Sequence, residues 1–385
     1  MSVEGLDALL SEEGWPYASA PPVEPGDPGR FHALFGRDSL ITSLQVLPER
    51  PDVARATLRA LARLQGRGED PATLEEPGKI GHEFRDAPPE VFVASGWPSE
   101  GPFAYYGTAD ATSWFLVLLA ATGDGALADE LAGAWRAAGA WLEGALERGG
   151  GFVRFAAGTT GGLSQQGWRD AIDPVSARDH GGILRADGTA PASPLADVDT
   201  QAAAHAALRA LGRLSGEDRW ERPAAELRER LGALGPEAMA VEPDGGIVTG
   251  AGSQLGWLLW ADALDGPARE AAAARLCEPD VLTDFGLRTL SSDSPVFAPG
   301  AYHRGSVWPF DCWLGWGGLR AAGREAEAER VRTGVLAALE QLGRAPELYA
   351  VERDGTVAPV PLANREQAWT VGARWALRRS WDGRA

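Results

Sequence analysis

The sequence predicts an all-α fold, with paired helices arranged in a ring and long loops gathered at one end. Three observations carry this. Ala- and Leu-rich stretches with apolar residues near helical spacing recur along the chain, near 52–65, 110–122, 126–147, 196–213, 222–234, 254–274, 306–321, 324–342 and 364–379. Strand-like alternation between them is sparse. The connections 66–109, 150–195 and 278–305 are long and rich in Gly, Pro and Asp, and long ordered loops in a compact domain tend to carry function.

Taken in order, residues 1–30 read as an N-terminal lead-in, because the stretch PPVEPGDPG from Pro21 to Gly29 cannot be regular helix. Residues 31–385 read as a single domain. The first clear helix, DVARATLRALARLQ, spaces Val53, Ala56, Leu58, Leu61 and Leu64 along one side. Counting the later stretches gives about twelve helices, with no linker to divide them. No strict repeat of about 30–45 residues appears, which disfavours a regular solenoid.

Composition narrows the function. The net charge is −18 with a pI near 4.8, a field that repels phosphate backbones and leaves a neutral sugar unaffected. Nucleic acid is therefore not expected as a partner. Cys277 and Cys312 are far apart, and the five His are scattered, so neither a metal site nor a disulfide framework is expected. No cofactor is called for. The N-terminal stretch MSVEGLDALLSEEGWP lacks a basic region and an apolar core. No apolar run approaches the ~20 residues of a membrane span. The expected location is the cytoplasm, away from membranes. The chain carries 15 Trp. Each suits core packing, and some could stack on sugar rings.

Six polar and aromatic clusters fall at loop-to-helix junctions. In FGRDSL, Asp38 or Ser39 could cap the following helix, but a cap leaves Arg37 unexplained. An Arg–Asp pair supplies a fork of donors beside acceptors, which suits vicinal hydroxyls. The segment EPGKIGHEFR crowds Lys79, His82 and Glu83 around a turn. YYGTAD brings Tyr106 and Asp110 to a helix start, where Asp110 could again be a cap. GWRD sets Trp168, Arg169 and Asp170 side by side, an aromatic, a cation and a carboxylate. YHRGSVWP carries His303, Arg304 and Trp308. The sixth cluster is the late pair PELY and QAW, which holds Glu347 and places Gln367 and Trp369 at the start of the last helix.

These motifs, in this order from about Phe31 to about Trp375, resemble the bacterial amylo-α-1,6-glucosidase (glycogen-debranching) family. More distantly, they are similar to glucoamylases and the six-hairpin glycosidase superfamily. The resemblance implies an (α/α)6 barrel and inverting hydrolysis of an α-linked glucoside or oligosaccharide. It implies Asp170 as general acid and Glu347 as general base. Arg37 and Asp38 would hold the terminal sugar's hydroxyls, Asp110 would line the same pocket, and Trp168 and Trp308 would form apolar walls. The chain departs from relatives at ANREQAW, which introduces Glu366 as a rival base, with Glu352 a weaker one, and at Asp199, where relatives often carry Glu. It also has no room for the β-rich N-terminal domain of many relatives.

The chemistry is consistent with two carboxylates. An inverting enzyme protonates the leaving oxygen with one and activates water with the other, the two standing about 6.5–9.5 Å apart. The acid must hold its proton near neutrality, for which Trp168 and Asp173 offer an apolar wall and a nearby anion. Two other classes compete. A non-catalytic carbohydrate-binding protein on the same barrel would lack one of the carboxylates. A sugar epimerase would rely on paired His, and a polysaccharide lyase on a cationic groove.

Overall fold

A computed structural model describes residues 3–22, 31–175 and 181–384. The described residues contain thirteen α-helices and four small antiparallel sheets. In chain order the helices are α1 (Gly36–Val46), α2 (Pro51–Arg63), α3 (Glu90–Ala94), α4 (Ala111–Thr122), α5 (Gly125–Glu130), α6 (Ala132–Arg148), α7 (Val198–Ser215), α8 (Glu221–Leu234), α9 (Gln254–Trp260), α10 (Gly266–Leu276), α11 (Pro309–Ala321), α12 (Glu325–Leu342) and α13 (Ala368–Arg379). The expected mostly helical chain is found. Most of the Pro21–Gly29 stretch lies outside the described residues.

Two kinds of helix follow from two kinds of sequence. α1 and α9 are buried along their whole length, and α4, α7, α11 and α13 along most of it. A helix apolar on all sides has to be surrounded. These six touch in cyclic order, α1 to α4, α4 to α7, α7 to α9, α9 to α11, α11 to α13, and α13 back to α1. The amphipathic helices lie outside them. α2 packs on α1 and α4, α6 on α4, α8 on α7, α10 on α9, and α12 on α11 and α13. In α2 the buried face is Val53, Ala54, Thr57, Leu58 and Leu61, while Arg55, Arg59 and Arg63 reach out to Asp124, Glu130 and Glu13.

The stretch 254–274 is two helices. Asp262 takes a left-handed backbone at φ 54° and is held there by Arg209, Arg228 and Arg269. Pro267 then restarts the chain in the first turn of α10. The lead-in also does more than precede the core. Val3, Leu6 and Leu9 bury themselves against Val46, Val53, Ala368 and Val371, contributed by α1, α2 and α13.

The inner helices run the same way, since the N-terminal ends of α1, α4 and α13 meet and the C-terminal parts of α4, α7, α9 and α11 line one cavity, so their dipoles add. Carboxylates gather at the N-terminal ends, with Asp38 in the first turn of α1, Asp110 and Asp197 at the caps of α4 and α7, and Asp311 in the first turn of α11. A partial positive charge there favours anions. At the other pole a cavity of about 450 Å³ is ringed by Arg209, Arg213, Arg269 and Arg384 beside the ends of α4, α7, α9 and α11, and Arg269 donates to the Ala321 carbonyl at the end of α11. Cations belong at that end by the same rule. Among the described residues no helix is long and apolar enough to cross a membrane.

Candidate active site

Short strands bring the first three motifs together. β1 (Leu34–Phe35), β2 (Glu83–Arg85) and β3 (Phe103–Tyr105) form one antiparallel sheet, in which Phe35 faces Glu83 and Glu83 faces Tyr105. The chain leaves β1 directly into α1, whose Gly36 N–H donates to the His82 carbonyl and whose Arg37 meets Asp110.

Arg37 is buried at 2% exposure, and each of its three nitrogens donates a hydrogen bond. Nε donates to both oxygens of Asp110 at 3.0 and 2.9 Å. Nη1 donates to Asp170 Oδ2 at 3.1 Å. Nη2 donates to the Gly167 carbonyl at 2.8 Å. Burial opposes the charge, but Asp110 and Asp170 more than offset it and hold the guanidinium firmly protonated. Arg37 is thus the post on which the loop carrying Asp170 is hung. Asp170 itself stays partly open, with 24% of its side chain exposed.

Asp38 sits next to this pair. Burial pushes its carboxyl up to about 8, with Arg37 opposing and Asp170, Glu347 and Asp110 adding repulsion. Glu83, bonded to Arg85, is likewise pushed up to about 7 by burial, with Asp170 adding to the rise. Glu347 enters from the far end of the chain. It precedes β4 (Tyr349–Val351), which pairs with β5 (Val357–Pro359) across an Asp354-Gly355 turn. Tyr302 donates its hydroxyl to Oε1. Asn364 donates its backbone N–H and its Nδ2 to Oε2, each at 3.1 Å.

The expected site residues divide into three groups. Arg37, Asp38, Glu83, Asp170, Glu347 and Gln367 come together, Gln367 donating to Asp38 at 3.3 Å. Asp110 is fully buried and grips Arg37, so it positions the pocket without facing it. Trp168, Trp308, His303 and Trp369 form a buried aromatic cluster. Trp168 stacks parallel to Trp257 and meets His303, Trp308 and Phe310 edge-on. Trp369 stacks on Phe310 at 3.9 Å. At 2% and 1% exposure, Trp168 and Trp308 back the site from within the core. Burial lowers His303 well below its usual range, with Arg169, Arg37 and Arg304 adding to the fall, so its ring is neutral and Nδ1 accepts from the Gly182 N–H. His82 is lowered in the same way, between Phe35 and Tyr105.

The third group stands away from the carboxylates. Arg169 pairs with Asp199 at 3.1 Å, both fully buried, and donates to Ser253 and the Thr289 carbonyl. Lys79 donates to Glu76 and the Leu74 carbonyl on the wall of a separate cavity of about 220 Å³. Tyr106 donates to the Leu64 carbonyl on the outer side. Glu366 accepts from the Ala345 N–H and lies outside the cluster, and Glu352 follows β4. Sequence reasoning did not single out Tyr302 or Asn364 as contacts of Glu347. Among the described residues no group of three or more His, Cys, Asp or Glu could hold a metal ion.

A family model described as the mannosylglycerate hydrolase MGH1-like glycoside hydrolase domain matches residues 159–370, more than half of the chain and inclusive of both Asp170 and Glu347. The chain belongs to the MGH1-like glycoside hydrolase family. Among solved structures, this glycoside hydrolase is similar to the GH63 mannosylglycerate hydrolase from Thermus thermophilus in complex with Tris and D-glycerate, at 18% identity over 98% of each chain with a TM-score of 0.69. The same enzyme in complex with glucose gives a TM-score of 0.66. A protein described as a wild-type glycosidase matches at 15% identity over 100% of this chain and 95% of its own, with a TM-score of 0.60. At these identities the likeness is one of fold. No curated protein matches the chain. The MGH1-like glycoside hydrolase is thus an O-glycosyl hydrolase that shares its helical fold with other glycosidases. The narrower amylo-α-1,6-glucosidase assignment is not what the family match names.

Proposed function

We propose that this glycoside hydrolase inverts an α-glycosidic bond, with Asp170 as general acid and Glu347 as general base, in a single catalytic domain of (α/α)6 barrel form. The closed cycle of six parallel inner helices supports the barrel. One observation carries the mechanism. Arg37 and Asp38 stand between two carboxylates from remote segments, Arg37 bonded to Asp170 and Asp38 within electrostatic reach of both Asp170 and Glu347.

A sugar seated on Arg37 and Asp38 would have its anomeric carbon between the two. Asp170, the more open of the pair, gives its proton to the leaving oxygen. Glu347 takes a proton from a water on the opposite face. Three donors point at the Glu347 carboxyl, the pattern that an ionised, acceptor-only carboxylate takes. The aromatic cluster behind Asp170 keeps that side of the site dry, which strengthens every charge interaction in it.

The first substrate in this reading is a glycoside with a small leaving group, of the mannosylglycerate type, because the family match spans both carboxylates. The second is a neutral α-1,6-linked gluco-oligosaccharide, favoured by the ordered motifs from Phe31 to Trp375. The deciding experiment offers the protein mannosylglycerate and a panel of α-linked gluco-oligosaccharides, and follows the first-formed anomer by NMR. Release of the β-anomer supports the mechanism. Release of the α-anomer overturns inversion, and cleavage of the glucans alone selects the second substrate.

A further inference from the structure

Glu347 is joined to Asp38 through two side-chain amides. Asn364 Nδ2 donates to Glu347 Oε2 at 3.1 Å and to Gln367 Oε1 at 3.2 Å. Gln367 Nε2 then donates to Asp38 Oδ1 at 3.3 Å. All four residues are buried. Both protons of the Asn364 amide are spoken for, and a carboxylate at one end fixes which way the amide points. The loop after β5 reinforces the link, since the Glu347 N–H donates to the Asn364 carbonyl at 2.9 Å while the Asn364 N–H returns to the Glu347 carboxyl. Asn364 Oδ1, by contrast, is buried without a partner among the described residues. An amide whose carbonyl goes unsatisfied in the core costs free energy, which a purely structural Asn would avoid.

We propose that Asn364 is a positioning residue for the reaction, one that fixes the Glu347 carboxylate and, through Gln367, ties it to the sugar-binding Asp38. This rests on the reading of Glu347 as base. Seating a sugar on Asp38 pulls on Gln367, and Gln367 steadies the amide that aims Glu347. Binding at the sugar end and alignment at the water end are then one event. Misplacing a reacting group by about 1 Å can cost roughly 10²-fold in rate, so the effect falls on turnover.

The test compares Asn364→Ala, Gln367→Met and Glu347→Gln with the parent protein. Carboxyl NMR on protein labelled with ¹³C at Glu identifies the Glu347 signal as the one lost in Glu347→Gln. In Asn364→Ala two outcomes are expected. The Glu347 midpoint rises by about one pH unit, because a donor to its charged form is gone, and kcat for mannosylglycerate or the glucan cleaved falls by roughly 10²-fold with KM within about threefold. Gln367→Met leaves a similar volume and removes the link to Asp38. It is expected to lower kcat while the protein melts cooperatively, and it remains informative if Asn364→Ala folds poorly. A Glu347 midpoint unmoved in Asn364→Ala overturns the proposal, and if that variant folds poorly, a kcat within about threefold of the parent in Gln367→Met overturns it instead. If Glu347→Gln itself retains full turnover, the base assignment fails instead, and the two failures are told apart.

Discussion

Arg37 holds Asp110 through Nε at 2.9 Å and Asp170 through Nη1 at 3.1 Å, so one guanidinium spans a helix cap and a loop from well-separated parts of the sequence. This use of a planar fork makes a sharp prediction. Lys keeps the charge and loses the geometry, because an ammonium is a point charge without fixed donor directions. Arg37→Lys is expected to fold and to lose roughly 10²- to 10³-fold in kcat/KM. Steady-state kinetics beside circular dichroism checks this, and turnover within threefold of the parent would remove Arg37 from the site.

The two carboxylates should fail differently. Asp170→Asn and Glu347→Gln are each expected to cost several orders of magnitude in turnover. A substrate with an activated leaving group needs less protonation, so it should partly spare Asp170→Asn and leave Glu347→Gln inactive. Glu366 bonds the Ala345 backbone, so Glu366→Gln should remain within about tenfold of the parent. Were Glu366→Gln inactive and Glu347→Gln healthy, the roles of the two would have to be exchanged.

Asp38 should leave a signature in stability against pH. Burial raises its carboxyl from 3.8 to about 8 in the fold. Between those values the folded protein holds a proton that the unfolded chain has lost. The contribution of Asp38 to stability is therefore full below the lower value and is lost as pH rises to and through the upper one. Asp38→Asn cannot titrate. Its melting temperature relative to the parent is expected to climb steadily from about pH 5 to about pH 8 and to level off above that, while the Glu83 contribution cancels in the difference. A flat difference would mean that Asp38 is ionised in the folded protein.

The helices were legible because periodicity survives in a single sequence, and motif order is what singles out the two carboxylates proposed as catalytic. The connections were not. That Tyr302 and Asn364 converge on Glu347 depends on the β4–β5 hairpin and on a loop crossing between distant segments, which no local pattern encodes. The glycine in GWRD is a similar case. A methyl on Gly167 would stand 1.8 Å from Asp197 Oδ2, so the need for glycine comes from a close approach to the cap of α7, invisible in the tripeptide beside it. Trp168 reads in the sequence as a loop residue open to a sugar. The loop folds inward instead and carries the ring into the aromatic core.

Arg169 is where motif reading and packing diverge most, and it gives the last prediction. Its neighbours in sequence are Trp168 and the proposed acid, which suggested a sugar contact. Its side chain instead turns into the core, where it meets Asp199 at 3.1 Å, Ser253 at 2.9 Å and the Thr289 carbonyl at 2.9 Å. Its guanidinium also lies 4.4 Å from the Trp168 ring centre. Both members of the ion pair are fully buried, so removing one leaves an uncompensated charge, at a cost of about 3–5 kcal/mol. Arg169→Met keeps much of the volume and should lower unfolding free energy by that order in urea titration. Adding Asp199→Leu should restore much of the loss, because an apolar pair of similar volume can replace a buried ion pair. If Arg169→Met is as stable as the parent while KM for the cleaved glycoside rises, Arg169 is a sugar ligand and its pairing with Asp199 is secondary.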